Sequence, residues 1–163
     1  MKKNDFQIFI NRKSSTEKNT PFDISVVIDI IQKILYEKLI PSAGEIYGLK
    51  IRVFVRNNVF TISRYTHLSK KRTLYLQQID QIFFQNDDVD SQTVLLSIFA
   101  IEDLYREKYG NMGTRYALIE SGCFLQILQL LLLNEGIHCC PLGVIDDSYI
   151  NAEEEALLHI IIN

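Results

Sequence analysis

The 36-residue stretch from Lys108 to Gly143, KYGNMGTRYALIESGCFLQILQLLLLNEGIHCCPLG, constrains the fold more than any other part of the chain. It runs from a polar cluster through a long apolar segment to a short strand and a glycine turn. The apolar spacing predicts a helix over Thr114–Glu135, with Gly136 as its stop. Ile137–Leu142 reads as a strand that Gly143 ends. Leu128, Leu131 and Leu132 widen the helix's apolar surface beyond one stripe, so it has to be covered on several sides. Its most apolar part, Phe124–Leu133, is too short to span a bilayer and is broken by Gln126 and Gln129.

Polar groups crowd the start of this helix: Lys108, Tyr109, Arg115, Tyr116 and Glu120. Placing such groups beside an apolar core is costly unless they are paired or used. Tyr116 and Glu120 are four residues apart on one helix face, as a structural pair or as part of a pocket wall. A second unusual element, Pro41-Ser42-Ala43-Gly44, lies well upstream. The two together suggest a small-molecule or cofactor site assembled from separate parts of the chain.

The remaining chain reads as alternating elements of one domain over residues 1–163, with 1–20 as a flexible N-terminal segment. Asn11–Asn19 is a polar loop. Asp23 caps a helix whose stripe is Ile24, Val27, Ile31, Ile34, Leu35 and Leu39, interrupted by Pro41 and Gly44. Leu49–Val55 and Val59–Tyr65 form a hairpin around an Asn57-Asn58 turn. Lys70-Lys71-Arg72 reads as a solvated turn, Tyr75–Phe84 as helical and Gln85–Gln92 as an acidic loop. Thr93–Ala100 is a buried strand, Glu102–Tyr109 a short helix, Asn151–Glu155 an acidic turn or helix, and Leu157–Ile162 the last strand.

A net charge of −3 argues against a dedicated nucleic-acid binder. The N-terminus has no sustained apolar stretch and no small-residue cleavage site, which points to the cytoplasm. Three cysteines leave no complete disulfide set, and Cys123, His138, Cys139 and Cys140 lack structural-zinc spacing, so buried thiols and no metal are expected. Dinucleotide-binding glycine patterns, a phosphate-binding glycine-lysine loop, a zinc-protease helix and a nucleophile elbow are all missing. The scattered His67, His138 and His159 assign no nucleophilic relay.

The order PSAG, then KYGxxxxRYALIESGxxxQ, then CPLG resembles the nitroreductase-related flavin oxidoreductases. It is most similar to the branch that oxidises thiazoline and oxazoline rings in ribosomally made peptides, the streptolysin-associated dehydrogenase type. The likeness covers about Arg12 to Ile162. It implies an α+β fold, with a mixed or mostly antiparallel sheet flanked by helices, and a dimer with FMN bound across the subunit interface.

The same resemblance gives residues roles. Arg12 and Ser14 resemble the residues that hold the FMN phosphate, for which a guanidinium is a suitable bidentate partner. Pro41, Ser42, Ala43 and Gly44 resemble the loop beside the flavin ring, where small residues permit close backbone approach. Leu142 and Gly143, with Pro141, resemble the flavin-proximal turn after the long helix. Lys108 and Tyr109 resemble a Lys-Tyr pair linked to azoline oxidation, with the phenol or amine removing the ring proton as hydride leaves for the flavin. Arg115 can instead pair with an acid at the dimer interface. The chain departs from the pattern at Thr16, Cys123, Ile127 and Val144, where the family commonly carries arginine, histidine, asparagine and glycine. Two further readings follow: a catalytically degenerate subunit that binds and stabilises a homologous or peptide-modifying partner, and an NAD(P)H-dependent nitroreductase-like enzyme.

Overall fold

The computed structural model describes residues 20–55, 58–65, 69–72, 93–142 and 155–162. Helix α1 spans Ile24–Tyr36, and the Asp23 carboxylate caps it by accepting from the Ser25 amide at 2.9 Å. Val27, Ile28, Ile31, Ile34 and Leu35 recur at helical spacing and are buried. The helix ends before Pro41 is reached. Lys38 turns left-handed (φ 56°), the Leu39 amide bonds back to the Ile34 carbonyl, and Leu39 lies exposed rather than on the buried stripe.

Among the described residues six strands follow: β1 Leu49–Val55, β2 Asn58–Ser63, β3 Ser69–Arg72, β4 Val94–Ala100, β5 Cys140–Leu142 and β6 Leu158–Ile162. They form one sheet in the order β3-β2-β1-β4-β6-β5, and every pairing is antiparallel. Asn58 already pairs with Val55, so it belongs to the strand and not the turn. The Lys70-Lys71-Arg72 run is also strand: it pairs with Phe60, Val59 and Asn58 and ends the strand order among the described residues. The strand expected over Ile137–Leu142 is confined to Cys140–Leu142.

Between β4 and β5 lie helix α2, Glu102–Tyr109, a single 3₁₀ turn at Gly110–Met112, and helix α3, Gly113–Asn134. Gly113 lets the helices approach closely, since a Cβ there would stand 2.9 Å from the Tyr105 backbone. At the far end, the Gly136 amide bonds to the Leu133 carbonyl and the Ile137 amide to the Leu132 carbonyl, with Gly136 left-handed at φ 74°. This is the glycine cap expected from the sequence.

Strand alternation divides the core. Leu49, Ile51 and Val53 of β1, Val94, Leu96 and Ile98 of β4, and Ile160 and Ile162 of β6 pack with α1 and with Phe124, Leu128 and Leu132 of α3. Phe54, Val59, Leu95, Phe99 and Ile161 form a second cluster on the opposite sheet face. Buried there, the Ser97 hydroxyl lies 2.9 Å from His159 Nδ1. A third cluster, Ile46, Tyr105 and Ala117, joins the chain entering β1 to the α2–α3 junction.

Glu102–Asn134 is long and apolar enough to cross a membrane by length and composition. In the fold it is interrupted by the 3₁₀ turn, buries the carboxyl group of Glu120, and lays Phe124, Leu128 and Leu132 on the sheet. The expected loop at Asn11–Asn19, helix at Tyr75–Phe84 and loop at Gln85–Gln92 lie outside the described residues, as does most of the acidic turn at Asn151–Glu155.

Candidate functional site at the Ser42–Gly48 turn

Pro41 and Ser42 leave the buried Ile40 in extended conformation, and a 3₁₀ turn follows at Ala43–Glu45. Three residues of this short turn are left-handed: Gly44 (φ 56°), Glu45 (φ 59°) and Tyr47 (φ 49°). Glycine accepts that geometry without strain, whereas Glu45 and Tyr47 hold it only if their surroundings enforce it.

The enforcing contacts come from four elements. The Ser42 hydroxyl accepts from the Tyr47 amide at 2.8 Å and donates to the Glu120 carboxylate at 2.5 Å. The Tyr65 hydroxyl, just after β2, donates to the Ile46 carbonyl. The Ile101 amide donates to the Gly48 carbonyl at 2.8 Å. From the end of α2, Lys108 donates to the Gly44 carbonyl at 2.5 Å. A Cβ on Gly44 would lie 2.4 Å from Lys108 Nζ and 2.6 Å from Tyr109 Oη. Tyr109 in turn packs against Tyr116 with ring centroids 4.4 Å apart.

Beneath the turn lie two buried titratable groups. Glu120 is 1% exposed, and burial raises its pKa; the Ser42 hydroxyl, the Tyr105 phenol and the Gly48 amide oppose that rise. Tyr105 is also 1% exposed, and burial first, then the Glu120 charge, push its phenol far above the ordinary range. Tyr105 Oη and Glu120 Oε1 influence each other, and the Gly48 amide acts on both, but neither atom makes a hydrogen bond of normal geometry. Gly48 makes room for the phenol, because a Cβ there would stand 2.6 Å from the Tyr105 ring. An open cleft of about 770 Å³ is lined by Tyr105, Lys50, Arg106, Thr114 and Glu155 among others, and its lining includes neither Lys108 nor Tyr109.

No protein-family model and no curated protein matches the chain. Solved structures do. A candidate nitroreductase from Ralstonia eutropha superposes with a TM-score of 0.76 at 15% identity, over 98% of this chain and 81% of that one. A candidate NAD(P)H:FMN oxidoreductase from Staphylococcus epidermidis gives 0.70 at 15% identity, over 99% and 87%. A chain of the E. coli microcin synthetase McbBCD complex, with truncated pro-MccB17 bound, gives 0.70 at 16% identity, over 94% and 70%. The chain has a nitroreductase-like α+β fold.

Within that nitroreductase-like fold, the expected residues fall into three groups. Ser42, Ala43, Gly44, Lys108 and Tyr109 come together, with Pro41 leading into the turn. Leu142 does not join them: it pairs with His159 and packs on the second cluster, on the sheet face opposite α1 and α3. Arg12, Ser14 and Gly143 lie outside the described residues, as do Thr16 and Val144. Glu120 is bonded to Ser42 and not to Tyr116, whose ring sits on Tyr109. Cys139 is buried, whereas Cys123 and Cys140 are half-buried, and among the described residues no cluster of three His, Cys, Asp or Glu side chains can hold a metal.

Sequence reading missed Tyr105, Gly48 and Tyr65. Tyr105 carried one available signal, an aromatic inside the charged EDLYREKY helix, four residues before Tyr109. Gly48 and Tyr65 carried none, because their role depends on how β1 and β2 bring the turn against α2.

Pro41, Ser42, Ala43 and Gly44 give the start of this turn small side chains, and a cation and a phenol close on Gly44, a setting that fits the edge of a flat, electron-accepting ring such as FMN.

Proposed function

We propose that the chain is an FMN-dependent oxidoreductase of nitroreductase type, fed by NAD(P)H and working in the cytoplasm as a homodimer or a heteromer. The observation that carries this reading is the convergence of Lys108 Nζ and Tyr109 Oη on the bare backbone of Gly44. When bound, FMN supplies the two-electron chemistry. Pro41–Gly44 would lie along its ring, Lys108 and Tyr109 would orient the substrate at the ring edge, and Arg12 with Ser14 would hold the phosphate.

A second reading rests on the same pair. Oxidising an azoline ring to an azole removes a hydride and a proton from ring carbons, and the proton needs a base. A phenol beside a lysine provides such a group, whereas a nitroreductase can draw its protons from water. The similarity to a chain of the microcin synthetase complex supports this reading.

For assembly, Met112, Leu118 and Ile119 expose apolar surface at the start of α3, with Ile119 61% exposed. A partner copy or a peptide-modifying protein would cover that surface.

The test is direct. Purified protein is scanned for flavin absorption, heated, and the released chromophore is identified by mass. FMN is the expected product. FAD, or no flavin after reconstitution with excess FMN, overturns the enzyme reading and leaves the cofactor-poor partner subunit. With FMN loaded, single-turnover bleaching by NADH or NADPH is compared with bleaching by a thiazoline peptide; bleaching by nicotinamide alone selects the nitroreductase-like role.

A further inference from the structure

We infer that Glu120 is the positioning residue of this site: through Ser42 it locks the left-handed backbone of Gly44, Glu45 and Tyr47 that offers the Gly44 carbonyl to Lys108. The inference rests on the function proposed above for that turn. Glu45 and Tyr47 hold left-handed backbone, a conformation that an ordinary residue adopts only at a cost. Such a turn relaxes unless it is tied at both ends. The Ser42 hydroxyl does the tying, since it closes the turn onto the Tyr47 amide at 2.8 Å. A serine hydroxyl on an extended segment rotates freely unless its proton is also engaged. Glu120 engages it at 2.5 Å, from a helix that is itself packed into the core.

Glu120 therefore reaches the proposed chemistry only through others: carboxylate to Ser42, Ser42 to Tyr47, and the turn to Gly44 and Lys108. A carboxylate kept merely for core packing would not be aimed at a surface turn.

The experiment follows amide hydrogen exchange at Tyr47 in the full chain, with flavin-coupled turnover measured in parallel. Ser42→Ala and Glu120→Ala should each speed Tyr47 exchange by about tenfold or more, and the double variant should add little, because both remove one chain of bonds. Glu120→Gln keeps an acceptor for the Ser42 hydroxyl and should restore most of the protection. In turnover, the two alanine variants should lower kcat and leave KM for the nicotinamide nearly unchanged, with Glu120→Gln rescuing kcat. Unchanged Tyr47 protection in Ser42→Ala, or additive effects in the double variant, overturns the inference. So does loss of turnover in Glu120→Gln with Tyr47 still protected. Should Glu120→Ala not fold, Ser42→Ala and Glu120→Gln carry the test alone. Absence of flavin from the wild-type protein would sink the enzyme reading, while Tyr47 exchange still decides the lock.

Discussion

Lys108 donates to the backbone carbonyl of Gly44 at 2.5 Å, joining the end of α2 to a turn 64 residues earlier. The bond needs two local features. Gly44 must be left-handed so that its carbonyl faces α2, and it must lack a Cβ so that the lysine can arrive. A backbone irregularity at one place and a helix end at another thus make a single surface.

Gly44→Ala is expected to destabilise the fold by about 1–2 kcal/mol, from left-handed strain on an alanine. The new methyl group also displaces Lys108, whose flexible end moves at little further cost. Lys108→Ala alone should barely change stability, because its contact is exposed. Urea denaturation of the two single variants and the double variant separates strain from displacement. Wild-type stability in Gly44→Ala would mean that the turn is not left-handed in solution.

Glu120 gives stability an inverted pH dependence. Burial raises its pKa above the ordinary 4.5, so the folded state binds its proton more tightly than the unfolded chain does. The slope of unfolding free energy with pH is then negative across that window. The contribution is fully present below 4.5 and is lost as pH rises through the raised folded value. Asp23 acts in the opposite sense: the Ser25 amide lowers its pKa, so its cap is present at neutral pH and lost as pH falls. Glu120→Gln should remove the loss on the alkaline side while leaving the acid-side loss in place. Thermal melts from pH 4 to pH 8 measure both; an unchanged alkaline-side slope in Glu120→Gln contradicts the assignment.

Periodicity made much of this fold legible in the sequence. The helix over Glu102–Tyr109, the strand pair around residues 55–58, the buried β4 and the Gly136 stop all follow from local rules that tertiary packing did not override. The end of α1 did not follow, because Lys38 is not a residue type that announces left-handed backbone. The Lys70-Lys71-Arg72 run looked like a turn by charge, yet it pairs with β2 as a strand. At the site, PSAG and Lys108-Tyr109 were visible as separate oddities. What joins them, the bond from Ser42 to Glu120 and the Tyr105 phenol beneath, is set by packing between elements far apart in sequence.

Tyr105→Phe should be neutral or mildly stabilising. The hydroxyl is buried without a hydrogen bond of normal geometry, and removing it relieves a desolvation cost of roughly 1–3 kcal/mol, offset by its support of the Glu120 carboxylate. Leu128→Ala, in the fully buried face of α3, should cost about 2–5 kcal/mol. Chemical denaturation compares them directly. A strongly destabilised Tyr105→Phe would show that its hydroxyl has a partner in solution, a bound water being the simplest.

If the protein is active, Lys108 and Tyr109 should matter more than any histidine. His159 is buried against Ser97 on the other face of the sheet, and His138 follows the end of α3, so neither belongs to the turn. Tyr109→Phe removes the phenolic proton but keeps the ring that packs on Tyr116. Lys108→Ala removes the cation at Gly44. Both variants should keep their flavin, because neither residue is assigned to the phosphate, and both should lose azoline turnover by about 10²-fold if the pair removes a proton. Arg12→Ala should show the converse, weaker FMN binding, and by more than Lys71→Ala. Flavin occupancy by absorbance and single-turnover bleaching separate the two kinds of loss. Full turnover in both Tyr109→Phe and Lys108→Ala would leave the pair as a clasp for the turn and nothing more.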